Sequence, residues 1–442
     1  MRDTMKSLDT QWRTLVSNQS SRAVAKFGNL KSRGVQKTVY NIRLTILCGI
    51  ITILVLRGTI GTGFFTFGGG GSEPEPKHDD GLERRALTNP VEDIMKEPET
   101  TEKESSFDKD VPFALGPRIS NWDQQRAEWL STHQNVTKNK FGRDRVILIS
   151  GSASKPCRNS VGDHLLVKSL KNKVDYTRLH DIELFYSMAV VDSQMSSFWV
   201  KHPMIRKMML THPEAEWIWW MDSDAMFTDM TFEIPFHKYE DHNMIIHGFE
   251  DLLFEKNSWV GINAGSFLMR NCQWSLDMLD AWTSMGHPRV AVEYGKRLSE
   301  VLLDRPVFDS DDQSVLAYLL VTQTQKWAPK VYLENSYYLH GYWVIIADRY
   351  EDIMANNKPG TGDEKWPFVT HFVGCKPCGK EASYGIKRCV LQMERAFNFG
   401  DNQILHRYGY QHRTLNSSKE IGRVRVDSAD PLGLGLPTVS VP

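Results

Sequence analysis

Two carboxylates stand one residue apart at the point where a strongly apolar segment ends. The segment is 216–221, and Asp222-Ser223-Asp224 follows it directly. This composition is typical of a strand buried on both faces, and ligands of α/β sheets bind at the carboxyl ends of strands. Two carboxylates placed there can share one divalent cation, which neutralises a diphosphate and assists its departure. An exposed acidic turn is the alternative, since Asp-x-Asp is a common sequence.

A second acidic group precedes a segment with helical periodicity. The sequence 309–313 is Asp-Ser-Asp-Asp-Gln, and we predict a helix over 312–323. Capping explains one of these acids, because carboxylates are favourable in the first turn of a helix. The cluster also has room for a catalytic pair, so both interpretations stay open for Asp311, Asp312 and Gln313.

A third group lies in 369–376. His371 stands in a strand-like segment that ends at Gly374, and Lys376 follows. A neutral imidazole could complete the ligand shell of a metal, and an exposed lysine could hold a phosphate as a point charge. A buried structural histidine beside a surface lysine is the alternative.

The segments around these groups alternate between strand and helix patterns. Such alternation predicts a mainly parallel α/β sheet. The predicted strands are 145–150, 182–186, 216–221, 243–247 and 262–269, and the predicted helices are 163–174, 197–210, 273–282 and 312–323.

The charge of the chain is balanced overall but sorted along the sequence. The 53 basic and 54 acidic residues argue against a dedicated nucleic-acid binder. Residues 1–43 hold nine basic and two acidic side chains, an apolar segment follows, and 72–110 is acidic. This order predicts a single transmembrane signal anchor with its N-terminus in the cytoplasm and the rest of the chain in the lumen. A buried core helix is the alternative, because the uninterrupted apolar run falls short of the roughly 20 residues that a span needs.

We therefore predict five regions in the chain. Regular structure is expected to end at about Ser417, and the C-terminal segment beyond it is expected to be loose. The regions are a basic cytoplasmic tail (1–43), an anchor (44–65), a flexible acidic stem (66–111), a catalytic domain (112–425) and a C-terminal tail (426–442).

The cysteines and the glycosylation sequons fit a lumenal domain. In an oxidising lumen, Cys375-x-x-Cys378 with Cys389 nearby predicts disulfides rather than a zinc site. The odd number of lumenal cysteines predicts that one thiol is free or pairs between chains. Asn135 and Asn416 begin sequons in the predicted lumenal part. A third sequon, at Asn18, lies in the predicted cytoplasmic tail.

Several segments resemble the plant glycosyltransferases of family 34, and most of all the xyloglucan 6-xylosyltransferases. The galactomannan galactosyltransferases are close relatives of these enzymes. The resemblance covers roughly 112–425 and the anchor. The segments that carry it include Trp219-Trp-Met-Asp-Ser-Asp-Ala-Met-Phe-Thr-Asp229 and Thr370-His-Phe-Val-Gly-Cys-Lys-Pro-Cys-Gly379, together with 115–123, 162–164, 263–268, 311–314, 340–343 and 395–402.

The resemblance implies a GT-A fold with a nucleotide-sugar site in a type II membrane protein of the Golgi apparatus. It implies Mn²⁺-dependent transfer with retention of the α-configuration. The xylosyltransferases move xylose from UDP-xylose to O6 of glucose units in a β-1,4-glucan, which starts the side chains of xyloglucan. A galactomannan galactosyltransferase and a weakly active scaffold subunit of a polysaccharide-synthesising complex are the alternatives. Homo- or hetero-oligomers with related transferases are a further expectation, and nucleic acid is not expected as a partner.

The resemblance also implies a role for each residue of the site. The nucleotide-sugar contacts are assigned to Gly151 and Ser152 at the uridine, to Lys376 at the diphosphate, and to Ser223 and Gly374 beside them. The Mn²⁺ ligands are Asp222, Asp224 and His371, while Asp311, Asp312 and Gln313 lie beside the transferred sugar and the acceptor for positioning and oxocarbenium stabilisation.

The chain departs from the family pattern at three places: Ser160 follows Asn159 where a proline is usual, Asp181 follows His180 where a glycine is usual, and the third is a cysteine position. Thr177 stands where family members usually carry a cysteine. This difference places one of the family's disulfides in doubt and would account for the odd number of lumenal cysteines.

Overall fold

A computed structural model describes residues 115–133, 136–153, 155–157, 160–189, 198–376, 378 and 385–424. The predicted cytoplasmic tail, anchor, stem and C-terminal tail lie outside these residues, as does Asn135. Within the described ranges, no helix combines the length and the apolar character that a membrane span requires.

The secondary structure follows the alternation that the sequence predicts. The α-helices are α1 Trp122–Thr132, α2 Ser160–His180, α3 Lys201–Thr211, α4 Gln273–Thr283, α5 Pro288–Val301, α6 Asp312–Thr322, α7 Thr324–Trp327, α8 Trp343–Ile346, α9 Tyr350–Asn356 and α10 Ile386–Leu405. The strands are β1 Arg145–Gly151, β2 Glu183–Ser187, β3 Ala215–Met221, β4 Ala225–Phe227, β5 Met244–Gly248, β6 Ile262–Arg270, β7 Val331–Glu334, β8 Gly341–Tyr342, β9 Val369–His371, β10 Tyr410–Thr414 and β11 Ser417–Arg423.

The main sheet has six strands in the order β2-β1-β3-β6-β5-β7. Five of its strands run in one direction, as the predicted mainly parallel sheet requires, and the sheet is mixed because β6 runs antiparallel to both of its neighbours, β3 and β5. The connection from β5 to β6 contains only the short π-helical turn Asp251–Glu255. No helical crossover therefore precedes β6, and the chain turns back beside β5.

The central strand β3 is buried on both faces, as its composition predicts. Successive side chains of a strand point to opposite faces of the sheet. Trp217 and Trp219 accordingly pack in one part of the core with Tyr176 of α2, whereas Ile218 and Trp220 pack in another part with residues of α3, α4 and α6. Both faces of β3 thus hold large apolar side chains, and the acidic pair follows directly where the strand ends.

A smaller sheet brings two distant segments to the end of β3. Its order is β4-β9-β8, and β4 begins directly after Asp224. Because Ala225 of β4 is paired with His371 of β9, the antiparallel register places His371 beside the acidic pair. The predicted strand around His371 is confirmed.

The loss of regular structure that we expected from Ser417 is wrong for the segment next to it. Ser417–Arg423 forms strand β11, which pairs antiparallel with β10. Ser418 anchors this hairpin to α10, because both its backbone N–H and its hydroxyl donate to the Glu394 carboxylate. These tertiary contacts order a segment that lacks an apolar pattern.

Helix α2 supplies the second edge of β4 with hydrogen-bond partners. The side-chain amide of Asn172 donates to the Phe227 carbonyl oxygen over 2.8 Å and accepts from the Phe227 N–H over 2.7 Å. The buried ammonium of Lys173 donates to the Ala225 carbonyl oxygen over 2.7 Å. A strand edge buried without partners would leave its backbone groups unsatisfied, so these side chains replace a neighbouring strand.

We predict that Asn172→Ala lowers the free energy of unfolding by about 1–3 kcal/mol, because it leaves buried backbone groups of Phe227 without partners. Denaturant unfolding followed by tryptophan fluorescence measures the change. Val167→Ala is the control on the same helix, since Val167 is 65% exposed. Equal stability of the two variants would contradict the role given to Asn172.

Candidate functional site

The structure brings the three predicted metal ligands together. The possible ligand atoms of Asp222, Asp224 and His371 all lie within 4.8 Å of one another. His371 Nε2 is 3.1 Å from Asp224 Oδ1 and 3.8 Å from Asp222 Oδ2. Backbone hydrogen bonds fix the turn that holds the two acids, from the Asp222 N–H to the Gly265 carbonyl and from the Phe372 N–H to the Asp224 carbonyl.

The donor set and its exposure fit a divalent cation. Two carboxylates and one imidazole are ligands that Mn²⁺ and related ions accept. The side chains of Asp222 and Asp224 are 32% and 29% exposed, whereas that of His371 is 5% exposed. The carboxylates therefore face solvent, and the same ion could also reach oxygen atoms of a ligand.

Gly265 makes room for the histidine. A Cβ atom at this position would lie 2.0 Å from Cε1 of His371. The side chain of Asn263 accepts a hydrogen bond from the Gly265 N–H over 2.9 Å, which holds the backbone of β6 in place. Any larger residue at Gly265 would displace the imidazole from the acidic pair.

Electrostatics at His371 favour its interaction with the acids. Burial acts to lower the pKa of His371, but the carboxylates of Asp224 and Asp222 outweigh it, so that the pKa is raised. The acidic pair thus provides a field that attracts positive charge, whether a proton or a metal ion.

Lys201 is a member of the site that no local pattern in the sequence indicates. Its ammonium lies 2.6 Å from Asp312 Oδ2 and 3.5 Å from Asp222 Oδ1. It also donates to the Ala264 carbonyl oxygen over 3.0 Å, and its side chain is 3% exposed. The lysine therefore joins the end of β3, the strand β6 and the start of α6.

The charged states of Lys201, Asp312 and Asp222 depend on one another. Burial raises the pKa of Asp312 to about 6, with Lys201 acting in the opposite direction. Burial also acts to lower the pKa of Lys201, but Asp222 and Asp312 outweigh it and raise that pKa. Lys201 is consequently charged at neutral pH and compensates both buried or partly buried carboxylates.

Asp311 makes helix-capping contacts, which are the alternative to a catalytic role for this residue. Its Oδ1 accepts from the Ser314 N–H over 2.9 Å, and its Oδ2 lies 3.0 Å from Nη2 of the fully buried Arg305. Gln313 donates to the Trp259 carbonyl over 3.1 Å and accepts from the Ala264 N–H over 3.3 Å. The roles of Asp311, Asp312 and Gln313 toward a sugar stay predictions.

The predicted uridine-pocket residues lie where β1 ends beside β2. The Ser152 N–H donates to the Ser187 carbonyl over 3.0 Å, and a Cβ at Gly151 would lie 2.5 Å from that same oxygen. Helix α2 fixes the backbone at Ser223, because the Ser223 carbonyl oxygen accepts a hydrogen bond from the Ser169 hydroxyl over 2.6 Å. The close approach at Gly151 explains why this position suits glycine.

The loop after β9 carries Gly374 and Lys376. Gly374 has a φ of +82°, which few other residues adopt, in a turn where the Cys375 N–H donates to the Phe372 carbonyl. Lys376 follows and is exposed. Both residues thus stand on a sharply turned loop that leads away from His371.

Two disulfides hold this loop. Cys375 is bonded to Cys389 at the start of α10, and Cys378 is bonded to Cys157 in the connection from β1 to α2. The prediction of disulfides rather than zinc is confirmed. Among the cysteines that the structure describes, Cys272 is free. This agrees with the expectation that the odd number of cysteines after residue 65 leaves one thiol unpaired.

We predict that Lys201→Met lowers the free energy of unfolding by about 3–5 kcal/mol, because it leaves the buried Asp312 carboxylate without its cation. Thermal and denaturant unfolding measure the loss. Lys201→Arg, which keeps the charge, should retain more of the stability, and Lys256→Met at an exposed position is the control. If Lys201→Met and Lys256→Met were equally stable, the ion pair would have no structural importance.

Comparison with known proteins identifies the family. The model of the galactosyl transferase GMA12/MNN10 family, glycosyltransferase family 34, matches residues 142–382. The probable xyloglucan 6-xylosyltransferase 3 of Arabidopsis thaliana is 51% identical over 406 residues, which cover 91% of this chain and 87% of that protein. Xyloglucan 6-xylosyltransferase 1 of the same plant is 49% identical over 421 residues, covering 89% and 91% respectively.

Among solved structures, a glycosyltransferase involved in glycosylation of the major capsid of PBCV-1 matches with 11% identity and a TM-score of 0.37, over 57% of this chain and 99% of that chain. The family match includes the positions of Asp222, Asp224 and His371, and the two plant relatives align with 91% and 89% of this chain. The chain therefore belongs to glycosyltransferase family 34.

Proposed function

We propose that this protein is a retaining xyloglucan 6-xylosyltransferase with a GT-A fold. It transfers xylose from UDP-xylose to O6 of glucose units in a β-1,4-glucan. The observation that carries the proposal is the cluster of Asp222, Asp224 and His371 at the carboxyl end of β3, within a chain about half identical to proteins named xyloglucan 6-xylosyltransferases.

We propose Mn²⁺ as the ion of this cluster. A bound cation supplies charge neutralisation for the diphosphate of the donor and Lewis-acid assistance to its departure. Asp222, Asp224 and His371 hold it, while the exposed Lys376 adds a point charge for the diphosphate.

The chain's own residues orient the donor and the acceptor. Gly151, Ser152, Ser223 and Gly374 are proposed to contact the nucleotide sugar. Asp312 and Gln313 are proposed to stand beside the transferred sugar, and their contacts with Lys201, Trp259 and Ala264 would hold them in fixed positions. Fixed carboxylate and amide groups stabilise the positive charge of an oxocarbenium-like transition state without reorganising. Asp311 would contribute by fixing the start of α6, through its bonds to Ser314 and Arg305.

We further propose a single-pass type II protein of the Golgi membrane, anchored by 44–65, with the domain 112–425 in the lumen. The basic tail 1–43 before the apolar segment supports this orientation. The disulfides of Cys157 with Cys378 and of Cys375 with Cys389 fit an oxidising compartment. Assembly with related transferases stays a prediction from the family resemblance.

The donor and acceptor are tested together. The full chain is offered UDP-xylose or UDP-galactose with Mn²⁺, and a cello-oligosaccharide or a manno-oligosaccharide, and products are weighed by mass spectrometry. We expect a pentose on the cello-oligosaccharide. A hexose on the manno-oligosaccharide would instead establish the galactosyltransferase alternative, and no product from folded protein would favour the scaffold alternative.

The same assay contains its control for the metal site. Asp224→Ala removes one proposed ligand and should lower turnover at least about 100-fold without unfolding the protein. Asp144→Ala, at an exposed carboxylate, is the matched variant and should behave as the wild type. Unchanged turnover in Asp224→Ala would exclude this residue as a metal ligand.

The orientation in the membrane is tested through glycosylation. Asn416 is exposed at the turn between β10 and β11, so Asn416→Gln should remove one glycan after expression in a plant cell. Loss of mass on glycosidase treatment measures this, and Asn135→Gln should remove another. Asn18→Gln is the control and should change nothing; a glycan at Asn18 would show that the N-terminus is lumenal.

A further inference from the structure

A second buried histidine touches the histidine of the metal site. His340 directly precedes β8, is 4% exposed, and places its Nδ1 2.8 Å from Nδ1 of His371. The two rings stand edge to face, with their planes at 88°. The segment 340–343 resembles the family, but no local pattern in the sequence indicates a role for its histidine.

The backbone fixes this pair of rings. In the parallel pairing of β8 with β9, Gly341 lies opposite Thr370 and Tyr342 lies opposite His371. A Cβ at Gly341 would lie 2.3 Å from the Val369 carbonyl oxygen, so the two strands approach closely just beside His340. The contact between the imidazoles therefore follows from the register and is not an accident of two free side chains.

A contact between two ring nitrogens requires one donor and one acceptor. A neutral imidazole carries one proton, and its other nitrogen has the lone pair. His371 presents Nε2 to Asp224 and Asp222, so a cation held there needs the lone pair of Nε2. The proton of His371 must then be on Nδ1, where it points at His340.

We propose that His340 is a positioning residue that selects the metal-binding tautomer of His371 by accepting a hydrogen bond at its own Nδ1. The proton of His340 is accordingly on Nε2. This inference rests on the metal site of the proposed function. It gives His340 the task that a carboxylate or a carbonyl performs beside many metal-ligating histidines.

The hydrogen bond between His340 and His371 can have the opposite direction when no cation is bound. His371 Nε2 can then donate to Asp224 over the 3.1 Å that separates the two atoms, while His371 Nδ1 accepts from His340. Imidazole can present either a donor or an acceptor at Nδ1, so His340 can pair with His371 in either polarity.

The test compares two substitutions of His340 that differ in whether the new side chain can accept a hydrogen bond. His340→Asn keeps an oxygen close to the position of Nδ1, which can accept the hydrogen bond. His340→Leu keeps roughly the volume of the side chain but cannot accept a hydrogen bond. Mn²⁺ affinity is measured on the full chain with UDP present, by the electron paramagnetic resonance signal of free Mn²⁺.

We expect His340→Leu to bind Mn²⁺ about 10- to 100-fold more weakly than the wild type, and His340→Asn to stay much closer to the wild type. His180→Leu is the matched control, because His180 is also buried and its Nε2 makes one hydrogen bond, to the Met230 carbonyl. It should bind Mn²⁺ as the wild type does.

Normal Mn²⁺ affinity in His340→Leu would overturn the inference and leave the metal site intact. If His340→Leu failed to fold, the decision would rest on His340→Asn, where loss of Mn²⁺ binding in folded protein would overturn the acceptor role and retained binding would support it. Absence of Mn²⁺ binding in the wild type would show that the metal assignment of the proposed function is itself wrong, and the inference would fail with it.

Discussion

Negative charge at the end of a strand that is buried on both faces is the constraint on which the rest of this structure depends. Asp222 and Asp224 follow the apolar strand β3, where isolated carboxylates would be costly. Lys201 approaches from α3, His371 from β9, and the buried Lys173 lies in α2 beneath the same turn. Burial lowers the pKa of Lys173 to about 7, against the opposing effect of Asp224 and Asp222. The acids therefore remain accessible on one side and are surrounded on the other by cations and fixed dipoles.

Much of the fold serves to bring these partners to one place. The main sheet carries the acids at the end of β3, and β6 beside it provides the glycine that admits the imidazole of His371. The smaller sheet carries His371 itself, with its register set by β4 on one side and β8 on the other. The disulfides of Cys375 and Cys378 secure the loop that follows. An arrangement of this kind can keep ligand atoms in position before a substrate binds, which is what electrostatic catalysis requires.

The site is built in layers around the proposed cation. Asp222, Asp224 and His371 would touch it, while Lys201 and His340 act only through these ligands. Such partners matter because a ligand's tautomer and orientation depend on what its far side contacts. The antiparallel strand β6 of the main sheet also matters for the site. It carries the Ala264 carbonyl oxygen, to which Lys201 donates, and Gly265, which leaves the space that His371 occupies.

The sequence by itself determined the alternating α/β class, the burial of β3, the acidic pair at its end, the membership of family 34 and the disulfide character of the loop after β9. These features reside in local patterns of apolar and chemically distinctive residues. Helices α5 and α10 also have apolar residues at helical spacing, which in α10 include Met393, Ala396 and Phe397. This local signal is present in the sequence, but neither helix is among the predicted elements. Only the tertiary structure decided that β6 runs antiparallel, that Ser417 begins a strand, and that Lys201 and His340 stand at the site. The reason is physical: strand order, strand pairing and contacts of buried polar side chains depend on residues far apart in the chain, and no local periodicity specifies which of them meet.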